Sequence, residues 1–160
     1  MTIQVGDRIP SATLLKATSE GPQPVDTDSY FAGRKVALFS VPGAFTPTCS
    51  ARHLPGYVEK AGELKGKGVD EIACVAVNDA FVMQAWGAQG GADGKVTMLA
   101  DGNGDFAEAL GLTMDASKFG MGKRGSRWSA IVDDGTVTEL NVEEPGAFSV
   151  SSAEFMLGQL

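Results

Sequence analysis

The sequence predicts an α/β fold, a central mixed β-sheet flanked by helices on both faces, as a single domain over residues 1–160. Three observations predict it. From residue 35 onward, apolar runs of strand length alternate with segments of helical period, in the order β-α-β-α-β-α-β-β-α. The last two strands flank Asp134-Gly135, a dipeptide suited to a tight hairpin turn, so an antiparallel pair closes a sheet whose other connections run through helices. The composition is globular, with 43% AVILMFWYC and 21% charged residues, and no linker, repeat or low-complexity tract divides the 160 residues.

Each element has a local cause. Residues 1–34 carry the weakest pattern and are expected to add a short hairpin. Lys35 to Val41 (KVALFSV) is a continuous apolar run, hence a buried strand. Thr46 can cap a helix with Pro47 at its first position, where the missing N–H is harmless. Ala51, Leu54, Val58, Ala61 and Leu64 follow at three- and four-residue spacing, and Pro55-Gly56 is expected to kink or interrupt that helix. Glu71 to Val77 is a second buried strand, Asp79 caps a helix through Trp86, and Val96 to Ala100 is a third strand. Asp105 is expected to cap a helix ending at Gly111. Arg127 to Val132 and Thr136 to Val142 form the hairpin, and Ser151 with Glu154 is expected to be a capping box before Phe155, Met156, Leu157 and Leu160.

Charge and hydropathy remove several function classes. Thirteen Lys+Arg against 20 Asp+Glu give a net charge of −7, which does not suit nucleic-acid binding through phosphate contacts. The longest uncharged stretch, Val36 to Ala51, is interrupted by Pro42, Gly43 and Pro47, so no membrane span is expected. The start, MTIQVGDRIP, lacks the basic and apolar regions of a secretory signal, and a cytoplasmic protein with reduced thiols is expected.

Two motifs fail on context. Gly120 to Gly125 matches G-x-G-x-x-G, but a strand follows it where a nucleotide-binding loop must open a helix, so a flexible loop is expected. Asp101-x-Asn103-x-Asp105 begins like a calcium loop but has Phe106 where the turn glycine belongs and Leu112 where the bidentate glutamate belongs. It is expected to be a strand-to-helix loop with a cap.

The informative segment is Pro42-Gly43-Ala44-Phe45-Thr46-Pro47-Thr48-Cys49. A buried strand ends, a proline-bounded turn follows, and Cys49 falls in the first turn of a helix. Backbone N–H groups and the helix dipole there favour negative charge on sulfur, and the Thr46 hydroxyl is placed to donate toward it. The competing reading is a small buried apolar side chain, to which the capped helix start is poorly suited. Cys74, in the middle of EIACVAV, is by pattern a buried, inert thiol. His53 is the only histidine. A Cys–His protease needs an orienting third group, and a zinc site needs four ligands, which Cys49, Cys74 and His53 do not supply. His53 is therefore expected on the helix surface.

PGAFTPTCS resembles the active-site segment of peroxiredoxins of the type II subgroup, whose pattern P-x-x-x-T-x-x-C is met by Pro42, Thr46 and Cys49. HLPGY (His53 to Tyr57), the opening VGDRIP and the later SRWSAIVDDG are similar to the same subgroup, so the likeness covers essentially the whole chain. The resemblance implies a thioredoxin-like fold and thiol-dependent reduction of hydrogen peroxide and alkyl hydroperoxides, without cofactor or metal. It implies that Cys49 is the peroxidatic nucleophile, that Arg127 stabilises the thiolate and the peroxide oxygens, that Thr46 hydrogen-bonds sulfur or peroxide, and that Pro42 shields the site. Arg124 is expected to be a solvated loop charge.

Positioning is required for any fast reaction. Lowering a thiol pKa from about 8.5 to about 6 raises its thiolate fraction at neutral pH only about 30-fold, and the less basic thiolate is the weaker nucleophile. The rest must come from donors arranged around the breaking O–O bond. For resetting, the resemblance offers Cys74, 25 residues after Cys49, as a resolving thiol, against glutathione with glutaredoxin, or thioredoxin, as external reductant. It also implies a non-covalent homodimer. The alternatives are a non-catalytic thioredoxin-fold binding or chaperone-like module and a disulfide oxidoreductase, the latter weakened by the absence of Cys-x-x-Cys.

Overall fold

A computed structural model describes residues 2–160. Nine strands are formed in chain order: β1 Thr13–Lys16, β2 Gln23–Asp26, β3 Lys35–Ser40, β4 Glu71–Ala76, β5 Thr97–Ala100, β6 Thr113–Asp115, β7 Lys123–Gly125, β8 Trp128–Asp133 and β9 Thr136–Val142. Seven build one sheet in the order β2-β1-β5-β4-β3-β8-β9, with β3, β4 and β5 parallel and the outer pairs antiparallel. The sheet is mixed, as expected, and the N-terminal hairpin is β1–β2.

Strand alternation divides the core between the two faces. Ala37, Phe39, Ile72, Cys74 and Ala76 join one buried cluster with Leu54, Tyr57, Leu64, Met83, Trp86 and Met156 from the helices α2 (Leu54–Glu59), α3 (Ala61–Gly66), α4 (Ala80–Gln89) and α6 (Ala153–Leu157). Val36, Leu38, Ala73 and Val75 join the other with Phe31, Phe106 and Leu110, beside helices α1 (Thr27–Tyr30) and α5 (Asp105–Leu110). Phe39 is fully buried and stacked on Tyr57 at 4.0 Å, so truncating it to alanine would cost about 3–5 kcal/mol.

Register positions the site. Ser40 pairs with Trp128 across β3–β8 and with Val75 across β3–β4. Arg127 and Asn78 therefore lie at the same end of the sheet as the turn that leaves β3 at Val41.

Several local expectations need correction. The helix carrying Cys49 starts at Pro47, as expected, but runs at once into a wide π-turn over Cys49–His53, closed by the Leu54 N–H on the Cys49 carbonyl, and the break falls at Lys60 rather than at Pro55-Gly56. Pro55 has no N–H to offer the preceding turn, so the irregularity is displaced upstream of it. The wide turn also rotates the helix face, burying His53, Leu54 and Tyr57 and leaving Ala51 exposed. Asp101, not Asp105, caps α5: its carboxylate accepts the N–H groups of Phe106 and Ala107 at 3.0 and 2.9 Å, and Gly104 supplies the left-handed turn at φ 78°. Ser152, not Ser151, caps α6, accepting from the Phe155 N–H at 3.1 Å. Residues 120–125 are not simply a flexible loop, because Lys123–Gly125 pairs with Thr113–Asp115 as a small ribbon. The hairpin at Asp134-Gly135 is as expected, with both residues at positive φ.

Candidate active site

Residues 42–48 lead from β3 into the π-turn, buttressed by side chains from elsewhere. The Ala44 N–H donates to Asn78 Oδ1 at 2.9 Å. Gly43 is packed so closely that an added Cβ would lie 2.9 Å from Met121 Cε and 3.2 Å from Thr46 Cγ2. Phe45 is exposed and adopts a left-handed φ of 65°, a strain on the order of 1 kcal/mol or more for a non-glycine residue. Arg124, expected in solvent, is half-buried: it donates from Nη1 to the Val77 carbonyl and from Nε to the Met121 carbonyl, both at 2.9 Å. Its ribbon strand folds it back over the turn.

Cys49 opens the π-turn with 0% exposure, and the next residue, Ser50, accepts from Trp86 Nε1 at 3.0 Å. Arg127 reaches it from the start of β8, donating from Nη2 to Cys49 Sγ at 3.1 Å. The other arm of the guanidinium, Nη1, lies 2.8 Å from His53 Nδ1. Arg127 has only donors, so Nδ1 must carry a lone pair, and the proton of the neutral imidazole belongs on Nε2. There it faces the Ser151 carbonyl at 2.9 Å, which also accepts from the Tyr57 hydroxyl at 2.9 Å. Burial, followed by the Arg127 charge, pushes the His53 pKa down to about 3.

His53 is thus a core residue of the site and not a surface histidine. Its spacing of four from Cys49 was the available signal, since both then project from one side of a helical turn. Glu143, just beyond β9, completes the arrangement. Its carboxylate accepts from the N–H groups of Ser149, Val150 and Ser151 at 2.8, 2.9 and 2.8 Å, and from the Ser151 hydroxyl at 2.7 Å. Burial opposes its charge, but the bonds from the Ser151 hydroxyl and from the three amides outweigh it and hold the carboxyl below its usual range. Nothing in the sequence pattern marked Glu143, and Ser151 was marked only as a helix cap, a role that Ser152 takes.

Thr46 departs from expectation in one respect. Its hydroxyl donates to the Gly43 carbonyl at 2.6 Å, so it does not donate to sulfur. Its carbonyl accepts the Ser50 N–H at 2.9 Å, which starts the helix, and the hydroxyl lone pairs are left to accept from a ligand. Pro42 is half-buried just past the end of β3. Cys74 is fully buried in mid-β4, paired in register with Phe39, and burial, with Cys49 nearby, pushes its thiol well above the ordinary range. Both cysteines are free thiols. Among the described residues, no cluster of three or more His, Cys, Asp or Glu is placed to hold a metal ion, and no helix is long and apolar enough to cross a membrane.

The comparisons agree with this geometry. The family model described as Redoxin matches residues 4–157. Peroxiredoxin-2B of Arabidopsis thaliana is 48% identical over 159 residues, covering 99% of this chain and 98% of that protein. The chloroplastic peroxiredoxin-2E-2 of Oryza sativa is 54% identical over 164 residues, covering 99% of this chain and 73% of that protein. The crystal structure of reduced Prx3 in complex with hydrogen peroxide from Vibrio vulnificus is similar with a TM-score of 0.95 and 53% identity, covering 99% of each chain. A thioredoxin-like sheet carrying a cysteine beneath an arginine fork, with these relatives over nearly its whole length, places the chain in the redoxin family as a peroxiredoxin, a thiol-dependent peroxidase.

Proposed function

We propose that Cys49 is the peroxidatic residue and that Arg127, Thr46 and Pro42 form its immediate surroundings. The observation that carries this is the 3.1 Å hydrogen bond from Arg127 Nη2 to Cys49 Sγ. In the reaction, the Cys49 thiolate attacks the nearer oxygen of a hydroperoxide in line with the O–O bond. An S–O bond forms, the O–O bond breaks, and sulfur becomes a sulfenic acid while the distal oxygen leaves as alcohol or water with a proton from solvent. Arg127 stabilises charge on sulfur and on the leaving oxygen together, which a planar two-armed donor suits better than an ammonium. The Thr46 hydroxyl, its proton committed to Gly43, accepts from the peroxide O–H and so turns its oxygens toward sulfur. Pro42 covers the turn without adding an N–H that would draw water in.

The sulfenic acid is reduced by an external thiol, glutathione with glutaredoxin or thioredoxin, in preference to Cys74. A first thiol attacks Cys49 to form a mixed disulfide and release water, and a second thiol restores Cys49. Burial of Cys74 in mid-strand, with its thiol held neutral, supports this assignment. Because Cys49 Sγ is itself buried, a thiol larger than a peroxide requires the π-turn at 49–53 to open. A non-covalent homodimer is proposed on the family resemblance, and two free thiols support a reducing, cytoplasmic setting. The reductant is tested by supplying glutathione with glutaredoxin, or thioredoxin with its reductase, to wild type and Cys74→Ala. Equal turnover of the two proteins is expected, and loss of turnover in Cys74→Ala would make Cys74 the resolving thiol.

A further inference from the structure

One residue holds Arg127 at both ends. The backbone N–H of Glu143 donates to the Arg127 carbonyl at 3.0 Å, continuing the β8–β9 pairing. The Glu143 carboxylate gathers the three successive amides of Ser149, Val150 and Ser151, and so fixes where the Ser151 carbonyl points. That carbonyl accepts from His53 Nε2, and His53 Nδ1 accepts from Arg127 Nη1, the partner of the arm that donates to Cys49.

We propose that Glu143 is a positioning residue of the peroxidase reaction: by fixing the Ser151 carbonyl it selects the Nε2–H tautomer of His53, and through it the rotation of the guanidinium presented to Cys49. The inference rests on Cys49 and Arg127 acting as described above. If residues 149–151 move, the Nε2–H loses its acceptor in a fully buried place, and the alternative Nδ1–H tautomer becomes competitive. That tautomer turns an N–H toward the Nη1 donor of Arg127, and the guanidinium must rotate or withdraw. A displacement of about 1 Å in a reacting group is enough to reduce a rate by about 100-fold. Glu143 touches neither sulfur nor peroxide, so its action is entirely through the carbonyl, the imidazole and the arginine.

His53 is the only histidine of the chain, which makes its tautomer directly readable by long-range 1H–15N NMR of the imidazole. The test pairs that spectrum with the rate of Cys49 oxidation by hydrogen peroxide in wild type, Glu143→Ala and Glu143→Gln. Wild type is expected to show a single Nε2–H imidazole. Glu143→Ala is expected to oxidise about 10- to 100-fold more slowly and to show a changed tautomer pattern while remaining folded. Glu143→Gln keeps an acceptor oxygen for the amides and is expected to recover both the pattern and most of the rate. Should Glu143→Ala not fold, Glu143→Asp, which withdraws the carboxylate by one methylene, takes its place. A mere clamp on the 149–151 segment would lower stability without changing the tautomer. The proposal is overturned if the substituted protein oxidises within about threefold of wild type, if it is slow with the tautomer intact, or if Glu143→Gln is as slow as Glu143→Ala. A wild-type protein that does not oxidise at Cys49 would overturn the underlying reading as well.

Discussion

Arg127 Nη1 lies 2.8 Å from Nδ1 of His53, and because a guanidinium offers only donors, the imidazole there is a neutral acceptor. Of this pair the cation is therefore Arg127, and His53 shapes the site without carrying charge.

This relationship sets a pH dependence of stability. An unfolded histidine titrates near 6.5, whereas His53 in the folded chain titrates at about 3. Between these values the unfolded state binds the extra proton, so the contribution of a neutral His53 is complete above pH 6.5 and is lost as pH falls toward about 3. Denaturant unfolding of wild type and His53→Gln should show the wild-type advantage shrinking from pH 6 to pH 4, by up to about 1.4 kcal/mol per pH unit. A difference independent of pH would contradict the neutral assignment.

Arg127→Ala should slow oxidation of Cys49 by about 100-fold or more, beyond any change in thiolate fraction, because it removes a donor aimed at the reacting atoms. Arg127→Lys should recover little, since one ammonium cannot serve Sγ and Nδ1 with two parallel N–H bonds. Stopped-flow oxidation combined with thiolate absorbance separates the two effects.

Thr46→Val keeps the shape and removes the hydroxyl that bonds Gly43. It should lower stability by about 1 kcal/mol and the oxidation rate by at least about tenfold, while Thr46→Ser should stay within a few-fold of wild type. Equal rates for Val and Ser would remove Thr46 from peroxide binding.

Cys74→Ser puts a hydroxyl among Phe39, Ile72 and Met98 and should lower stability by about 1–3 kcal/mol. The first oxidation of Cys49 should be unchanged. Thermal unfolding and single-turnover oxidation measure the two quantities independently.

What was legible in the sequence was what is local. The strands from Lys35 and Glu71, the Asp134-Gly135 turn and the segment from Pro42 to Cys49 each carry their cause within a few residues. The caps were legible as a type but not as a residue: Asp101 displaces Asp105 because Gly104 turns left-handed, and Ser152 displaces Ser151 because Glu143 takes the latter. His53 and Glu143 were missed because their roles arise from strand register and from the π-turn, which bring together residues far apart in the chain. Arg124 was misjudged for the same reason, since its partners Val77 and Met121 meet it only through the β6–β7 ribbon.

The most direct test of the central claim is the intact mass of the reduced protein, taken milliseconds to seconds after one equivalent of hydrogen peroxide, with the modified peptide located. A gain of about 16 Da is expected on the peptide carrying Cys49, a sulfenic acid that an added thiol removes. A loss of about 2 Da would contradict reduction by an external thiol, and an unchanged mass after minutes would contradict Cys49 as the peroxidatic residue.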